Sequence, residues 1–368
     1  MTAGDGWADA ERVLCIRLDA VGDVLMTTPA FRALASSRSR RRLTLLASPA
    51  GAEVATLVPE IDDVIVYDAP WMKATRPRAD SAPDWAMVER LREGRFDAAV
   101  IFTVYSQNPL PVAFLCVLAD IPLRLAHCHE NPYQLLTDWV PDPEPARLMR
   151  HEVRRQLDLV ATVGCVASDD RLSLRVPTRA QRGAGALLRE LGVEQRRWLA
   201  MHPGASAPSR RYPVSGFVDA GRELVAAMGY DIVLTGAPSE IELTEDIRTG
   251  IGANAHSVAG RVDLAGLAAV IARAPLLITN NTGPAHMAAA VGTPVVDLYA
   301  LTNPQHTPWG VAHRVLFHDV PCRYCYKSVC PEGHQNCLRL VPPADVVAAA
   351  ADLLARRPTP AAPLPALR

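Results

Sequence analysis

The feature that most constrains this chain is an alternation of strand-like and helix-like runs that passes through the sequence twice. Residues 12–18 (RVLCIRL) form an apolar run typical of a buried parallel strand, and residues 24–35 after them have helical apolar spacing. The alternation continues to about residue 103 and restarts near residue 180. Repeated strand–helix–strand units predict an α/β fold, in which helices cover both faces of a parallel sheet.

The two series of units predict two domains, which also suits a length of 368 residues. A polar, proline-containing segment at 167–178 marks the boundary, so we assign residues 1–170 to the first domain and 171–342 to the second. Residues 357–368 are proline-rich, and we expect a disordered tail there. Doubly wound domains bind ligands at the carboxyl ends of their strands, so the cleft between the domains is the expected site.

Composition and charge exclude several classes of protein. A formal net charge of −1 and an aromatic content of 5% argue against a nucleic-acid-binding protein. The N-terminus lacks the basic and apolar regions of a signal peptide. The longest uncharged apolar stretch, 109–119, is too short to span a bilayer and contains two prolines. We therefore expect a cytoplasmic protein.

The first motif is RLDAVGDVLMTTPAFRAL, residues 17–34. Gly22 permits the turn from strand to helix, and Asp23 stands where the helix begins. Asp23 suits an N-cap, because an aspartate there accepts backbone N–H bonds. It equally suits a carboxylate at the edge of the cleft that removes a proton from a hydroxyl group. Asp19 is a weaker candidate for the same role.

The second motif is HPGASAPSRRYP, residues 202–213, directly after a predicted strand. Small residues, including Ser206, let backbone amides approach an anion, and Arg210 and Arg211 can neutralise phosphate charge. The alternative is an ordinary solvated loop.

The third motif is TNNTGPAHMAAAVGTPVVDLY, residues 279–299. A buried strand ends at two asparagines, and Thr282-Gly283 then opens a helix with proline in its first turn. The free N–H groups and dipole of such a turn attract anions. His286 lies one turn into the helix, where it either faces the same ligand or is a half-buried helix residue.

These three motifs, together with LTGAPSE at 234–240, resemble glycosyltransferase family 9, the ADP-heptose:lipopolysaccharide heptosyltransferases. They occur in the family's order and extend over residues 12–343. The resemblance implies the GT-B architecture, with two Rossmann-like doubly wound domains that face each other across a cleft. It implies an acceptor-binding first domain, a nucleotide-sugar-binding second domain and a helix at 343–356 that packs back toward the first. It also implies inverting transfer that requires no metal or other cofactor.

The resemblance assigns roles to individual residues. Asp23 matches the family's catalytic base, and Ser206 and Arg210 match its phosphate loop, where the family usually has lysine in place of Arg210. Asn281 stands where the family commonly has an aspartate that contacts the donor sugar, so the charge is lost at this position. The remaining donor-binding matches are Glu240 for the ribose, Val262 for the base, and Thr282, Gly283 and His286 for the diphosphate.

Four of the eight cysteines crowd into residues 322–337 (hereafter the cysteine-rich segment), with the spacing C-x₂-C-x₄-C-x₆-C. Four thiols in this order suit a structural zinc site. An iron–sulfur cluster is a second interpretation, although the spacing matches neither ferredoxin pattern. The third is reduced thiols that pack a loop. The candidate metal ligands are Cys322, Cys325, Cys330 and Cys337.

Arginines are clustered at residues 38–42 (RSRRR), just after the first long helix. We interpret them as a solvated complement to the helix dipole. The alternative is contact with anionic lipid or a phosphorylated acceptor at the inner membrane face.

The sequence therefore predicts an enzyme that moves heptose from ADP-heptose to a saccharide or glycolipid acceptor like the lipopolysaccharide core. We expect the acceptor to be contacted by variable loops at 70–83 and 107–131. Two alternatives remain: a nucleotide-sugar-binding protein with vestigial catalysis, for which Asn281 is the only hint, and another GT-B enzyme such as a nucleotide-sugar epimerase.

Overall fold

The computed structural model describes residues 5–73 and 75–355, and within them the strands form two parallel sheets of six strands each. The first sheet contains β1 (Arg12–Arg17), β2 (Arg42–Ala47), β3 (Asp63–Val66), β4 (Ala98–Ile101), β5 (Leu123–Cys128) and β6 (Asp138–Pro141). The second contains β7 (Trp198–His202), β8 (Asp231–Leu234), β9 (Ala255–Ser257), β10 (Leu277–Asn280), β11 (Val295–Leu298) and β12 (His313–Leu316). The two sheets thus divide on either side of the boundary predicted near residue 170.

The helices connect the strands and cover the sheets. In the first unit they are α1 (Asp5–Asp9), α2 (Val21–Ser36), α3 (Pro49–Ala55), α4 (Ala82–Glu93), α5 (Leu110–Leu118) and α6 (Glu152–Ala161). In the second they are α7 (Thr178–Glu190), α8 (Val214–Met228), α9 (Ile241–Ile251), α10 (Leu264–Arg273), α11 (Gly283–Val291), α12 (Asn336–Arg339) and α13 (Pro343–Ala355). Short 3₁₀ turns lie at Pro208–Arg210 and Pro238–Glu240.

Both sheets have the same strand order, which fixes where ligands bind. The first runs β3-β2-β1-β4-β5-β6 and the second β12-β11-β10-β7-β8-β9, so each has the Rossmann order 3-2-1-4-5-6 when its own strands are counted. The order reverses between β1 and β4 in one sheet and between β7 and β10 in the other. Crevices outside the carboxyl ends of these central strands are the binding positions of such sheets.

The central strands are buried because their side chains are apolar on both faces. In β1, Val13 and Cys15 pack into the core that extends to the second unit, whereas Leu14 and Ile16 pack into the core under α4 and α5. This two-sided burial explains why the strand appears in the sequence as a continuous run rather than an alternating one.

The last helix corrects one prediction. We expected it to pack back toward the first domain, but α13 makes its main contacts with α8, β11 and β12. Val346, Ala350 and Leu353 of α13 lie in the core of the second unit. Their helical spacing forms one apolar face that completes this core. The predicted tail at 357–368 lies outside the described residues.

Two further expectations change. Residues 107–131, which we predicted to be a loop, contain α5 and β5, because the apolar run LPVAFLCVL forms a helix with Pro109 as its N-cap and Pro111 in its first turn. The arginine cluster lies at the amino-terminal edge of the sheet, away from the cleft: Arg38 pairs with Asp9 and Glu11, and buried Arg41 donates to the carbonyl of Ala10. Among the described residues, no helix has the length and apolarity needed to cross a membrane.

Candidate active site between the two units

The start of α2 presents Asp23 at the carboxyl end of β1. The helix begins at Val21, three residues before the predicted start, so Asp23 is its third residue rather than its N-cap. The Ala20 N–H still donates to Asp23 Oδ2, over 3.3 Å. The carboxyl group remains one-fifth exposed and lines a cavity in the first unit. Asp23 therefore satisfies the helix start and faces the cleft at the same time.

A buried arginine organises the carboxylates around Asp23. Arg17, the last residue of β1, is fully buried, and its Nη2 lies 3.1 Å from Asp23 Oδ1. Its Nε lies 3.0 Å from Asp19 Oδ2. Its Nη1 lies 2.8 Å from Glu152 Oε1 at the start of α6. One guanidinium thus orients three carboxylates, and removing it would leave them without their common partner.

The charges around Asp23 keep it ionised. Burial by itself raises the pKa of the Asp23 carboxyl, but the positive charge of Arg17, helped by His306, His286 and Arg210, outweighs burial and lowers the pKa below its usual value. A carboxylate of this kind is ready to accept a proton at any physiological pH. Its low basicity is the cost of the ion pair with Arg17.

Asp19 has the opposite behaviour. Burial raises its pKa to about 6, Arg17 lowers it, and the charge of Asp23 raises it further. Gln107 Nε2 donates to Asp19 Oδ1 over 2.5 Å and fixes the group against the cavity wall. Asp19 therefore changes charge near pH 6, while Asp23 does not.

This difference predicts the pH dependence of activity. Below pH 6 Asp19 is protonated, so the charge of Arg17 acts more fully on Asp23 and makes that base weaker. We expect kcat to fall by about 3- to 10-fold as the pH decreases through about 6. Asp19→Asn should have the lowered kcat at every pH between 5 and 7, and its kcat should not fall further as the pH decreases through 6. A pH profile of kcat for both proteins checks this, and an unchanged limb in the variant would contradict it.

The cavity next to Asp23 has a volume of about 940 Å³. Its walls come from the carboxyl ends of β1 and β4, the start of α3 and the segment after β3. Tyr67 and Trp71 contribute an edge-to-face aromatic pair with ring centroids 5.7 Å apart. Lys73 and Arg76 contribute positive charge. Aromatic rings together with hydrogen-bond donors and acceptors suit a saccharide. Part of the loop predicted at 70–83 does line this cavity.

The start of α11 faces the start of α2 across the boundary between the units. Thr282 precedes the helix with extended backbone, and its hydroxyl donates to the Asn280 carbonyl over 3.3 Å instead of capping the first turn. A Cβ on Gly283 would lie 3.3 Å from Val21 Cγ1. The amino-terminal turn of α11 therefore lies beside Asp23. Because no side chain caps this turn, its N–H groups are free to bind an anion.

His286 lies in this contact and is buried. Burial, followed by the neighbouring His306, lowers the pKa of His286 to about 3, so the ring is neutral at physiological pH. Its Nδ1 has no hydrogen-bond partner among the described residues. A neutral, buried ring with an unused nitrogen is able to hydrogen-bond a ligand between the helix starts.

Gly22 is what allows the two helix starts to approach. A Cβ at this position would lie 2.6 Å from His286 Cδ2, closer than atoms can come without movement. We expect Gly22→Ala to force the units apart and to lower kcat/KM by about 5- to 150-fold, the effect of an overpacking cost of about 1–3 kcal/mol. Gly183→Ala, on α7 with open space around it, is the matched control. Steady-state kinetics on both variants measures the difference, and equal kinetics would contradict the close approach.

The loop 203–212 is fastened by Asn280, the last residue of β10. Its Nδ2 donates to the Pro203 carbonyl over 2.7 Å, and its Oδ1 accepts from the Tyr212 N–H over 3.0 Å. Both ends of the loop are therefore bound to the strand that leads into α11. The two predicted anion-binding segments, the loop and the start of α11, form one surface.

Arg210 is the cation of this surface. It is half-buried, and its charge acts on Asp23, His286 and Asp297. Asp297 on β11 is completely buried, and burial raises its pKa well above the usual value although Arg210 opposes the shift. The raised pKa favours the neutral form of Asp297, so this carboxyl offsets the charge of Arg210 less than an ordinary aspartate would.

Glu240 lies beside the same loop. Its Oε2 accepts from the Ala237 N–H over 2.8 Å, and a Cβ on Gly204 would meet its carboxyl group at 2.1 Å. Gly204 must therefore lack a side chain for Glu240 to reach this position. Ser206 is exposed on the loop. Val262 is half-buried. Just before it, the Gly260 N–H donates a hydrogen bond over 3.0 Å to the Gly236 carbonyl, which lies next to the turn that carries Glu240.

Asn281 is buried between β10 and the segment after β11. Its Oδ1 accepts from the Ala300 N–H over 3.3 Å, while its Nδ2 has no partner among the described residues. An aspartate here would keep the accepted bond but would lack the free donor. The amide is therefore available to donate to a ligand.

The four cysteines of the cysteine-rich segment lie near one another: burial raises the pKa of Cys337, and the other three cysteines raise it further. Among the residues that the structure describes, no three His, Cys, Asp or Glu side chains are grouped so as to hold a metal ion. Cys322 and Cys337 instead pack against Tyr299, Leu301 and Val320. This packing fits the third interpretation, thiols that pack a loop, and the structural zinc site stays a prediction.

Sequence reasoning missed three residues of the site: Arg17, Glu152 and His306. Arg17 had a signal, because a charged residue within a buried strand requires a buried partner. Glu152 starts α6, where its N–H donates to the Gln305 carbonyl of the second unit over 3.1 Å. His306 follows in a loop without a pattern. Only the fold brings these residues to Asp23.

Comparisons with known proteins place the chain among glycosyltransferases of one family. The model of glycosyltransferase family 9 (heptosyltransferase) matches residues 85–336. Lipopolysaccharide heptosyltransferase 2 of Salmonella typhimurium is 26% identical over 308 residues, which cover 81% of this chain and 85% of that protein. Lipopolysaccharide heptosyltransferase 3 of Escherichia coli is 24% identical over 344 residues, which cover 90% of this chain and 96% of that protein.

Solved structures show the same fold. A glycosyl transferase family 9 structure from Veillonella parvula has a TM-score of 0.76 at 23% identity and covers 94% of this chain and 97% of its own. The ADP-heptose lipopolysaccharide heptosyltransferase II structure from E. coli has a TM-score of 0.73 at 23% identity and covers 94% of this chain and 98% of its own. The predicted GT-B architecture is confirmed.

Proposed function

Because the chain belongs to glycosyltransferase family 9, and is therefore a glycosyltransferase, we propose that it transfers heptose from ADP-heptose to a glycolipid acceptor of the lipopolysaccharide-core class. The observation that carries this proposal is the approach of the two helix starts, with Asp23 on one and the free turn of α11 on the other. A base and an anion site side by side are what an in-line displacement from a nucleoside diphosphate sugar requires.

The reaction is a single displacement. Asp23 takes the proton of an acceptor hydroxyl, whose oxygen attacks the anomeric carbon of the donor. The bond from that carbon to the phosphate oxygen breaks, ADP leaves with the electron pair, and the anomeric configuration is inverted. The amino-terminal turn of α11 and Arg210 stabilise the charge that develops on ADP, which suits a reaction without a metal ion.

The substrates occupy the two sides of the contact. The ADP part lies on the second unit, with the diphosphate at Ser206, Arg210 and the start of α11. The ribose lies at Glu240 and the base at Val262. The acceptor fills the cavity beside Asp23, with its sugars against Tyr67 and Trp71. We infer peripheral contact with the inner membrane face from this acceptor class alone, because the arginine cluster lies at the edge of the sheet away from the cleft.

Donor selectivity and product stereochemistry test the proposal. The full chain is assayed with ADP-heptose, UDP-glucose and GDP-mannose, each with and without EDTA, against a lipopolysaccharide core that lacks heptose and one that carries a single heptose. We expect turnover with ADP-heptose only, no effect of EDTA, and an anomeric configuration by NMR opposite to that of the donor. Turnover with UDP-glucose would overturn the proposed donor, and loss of activity in EDTA would overturn the reaction without a metal ion. Retained configuration would overturn the single displacement.

A further inference from the structure

The cysteine-rich segment contacts both halves of the proposed site. It follows β12 in the second unit, and its last two residues are the first two of α12. The sequence left its purpose open, and the packing of its thiols does not account for its contacts outside the segment.

On the donor side, the segment holds the turn that carries Arg210. The Ser209 N–H donates to the Ser328 carbonyl over 3.0 Å, and Ser209 Oγ donates to the Lys327 carbonyl over 2.8 Å. Gln335 Nε2 donates to the Pro208 carbonyl over 2.7 Å. Ser209 is 3% exposed, so its two bonds are largely shielded from water, whereas the Gln335 bond is exposed.

On the acceptor side, the same segment contacts the first unit. Lys73 Nζ, in the wall of the cavity beside Asp23, donates to Ser328 Oγ over 2.8 Å. The rings of Tyr105 and Tyr326 pack edge to face with centroids 5.6 Å apart. Ser328 therefore binds the donor turn through its backbone and the acceptor wall through its side chain.

The segment is itself held in a defined conformation. The N–H groups of Tyr324 and Tyr326 donate to the carbonyls of Leu301 and Thr302 over 2.6 and 2.9 Å. Both tyrosines have positive φ, 62° and 53°, which bulky residues adopt only when their surroundings require it. The contacts on either side are thus made from a fixed support.

We propose that Ser209 and Ser328 are positioning residues of the active site: Ser209 sets Arg210 against the donor diphosphate, and Ser328 ties that turn to the acceptor wall at Lys73. This inference rests on the proposed function, in which Arg210 binds the ADP part of the donor. It gives the cysteine-rich segment a role in catalysis that requires no metal.

The two serines separate the two roles, because Ser209→Ala removes the Oγ bond on the donor side and Ser328→Ala removes only the bond to Lys73. ADP binding to the full chain is measured by calorimetry. We expect Ser209→Ala to weaken it by about fivefold, the effect of one buried hydrogen bond, and Ser328→Ala to leave it within twofold. In ADP release with the heptose-deficient core, Ser328→Ala should raise the acceptor KM and Ser209→Ala the donor KM.

Ser215→Ala, at an exposed position at the start of α8, is the matched control for the loss of a serine hydroxyl. If Ser209→Ala does not fold, Gln335→Leu takes its place, because it removes the hydrogen bond to the Pro208 carbonyl in the same turn. If Ser209→Ala binds ADP as tightly as the wild type does, the donor half of the inference is overturned. Gln335→Leu is judged in the same way if it replaces Ser209→Ala. An unchanged acceptor KM in Ser328→Ala would overturn the acceptor half. A wild-type protein that binds no ADP would instead overturn the proposed function.

Discussion

Asp23→Ala is expected to lower kcat by about 10²–10⁴-fold and to leave ADP binding intact or stronger, because a general base contributes that much to transfer and does not hold the donor. Asp23 is ionised through its pairing with Arg17 and lies next to the start of α11, so it is the carboxylate best placed to take the acceptor proton. Steady-state kinetics and ADP calorimetry on the same preparation measure both effects.

The neighbouring carboxylate provides the comparison. Asp19 has the higher pKa, about 6, but Arg17 and Gln107 both hold it, and Asp23 lies nearer the approach to α11. Asp19→Asn should therefore lower kcat at pH 7 by only about 3- to 10-fold, far less than Asp23→Ala, and Glu53→Ala, exposed on α3, should leave kcat unchanged. Loss of transfer in Asp19→Asn with near-normal transfer in Asp23→Ala would exchange the two roles.

Arg210→Ala is expected to lower kcat by about 10²–10³-fold and to weaken ADP binding, because a preorganised cation is lost where the leaving group gains charge. Burial raises the pKa of Asp297, which favours its neutral form and leaves more of the charge of Arg210 for the donor. Arg210→Lys, the residue usual at this position in the family, should restore much of the rate. Kinetics with ADP-heptose and ADP calorimetry measure the loss and its rescue.

Arg211 is the matched comparison for Arg210. It is exposed, and its Nε donates to the Ala205 carbonyl over 2.8 Å, so it supports the loop rather than facing the site. We expect Arg211→Ala to have a much smaller effect on kcat. Equal losses in the two variants would mean that the loop needs general positive charge and not Arg210 in its position.

The strand–helix alternation was sufficient to predict the two Rossmann-like units, because buried parallel strands are apolar on both faces and leave a strong periodic signal. The edge strand β6 and the short strands β9 and β12 escaped prediction, since half-exposed residues such as Trp139 and His313 carry no such period. The run 110–118 was hidden by Pro109 and Pro111, which favour loops in general but fit the start of a helix.

The donor site was more predictable than the acceptor site. Glycines, a proline and a cation in sequence order mark the loop 203–212 and the start of α11, because tight turns and anion binding demand those residue types locally. The surroundings of Asp23 depend on Glu152, His306 and Lys73, which reach the site only through tertiary packing. The helix start of α2 was placed three residues late because Ala20 provides no side-chain cap.

The most direct test of the account is a quantitative balance of the reaction. The full chain is incubated with ADP-heptose, with and without the lipopolysaccharide cores named above, and ADP, heptosylated core and remaining donor are measured in the same sample. The account predicts ADP and heptosylated core in equal amounts, and neither without acceptor. Isomerised donor or free ADP in the absence of acceptor, or tight donor binding without product on either core, would contradict it.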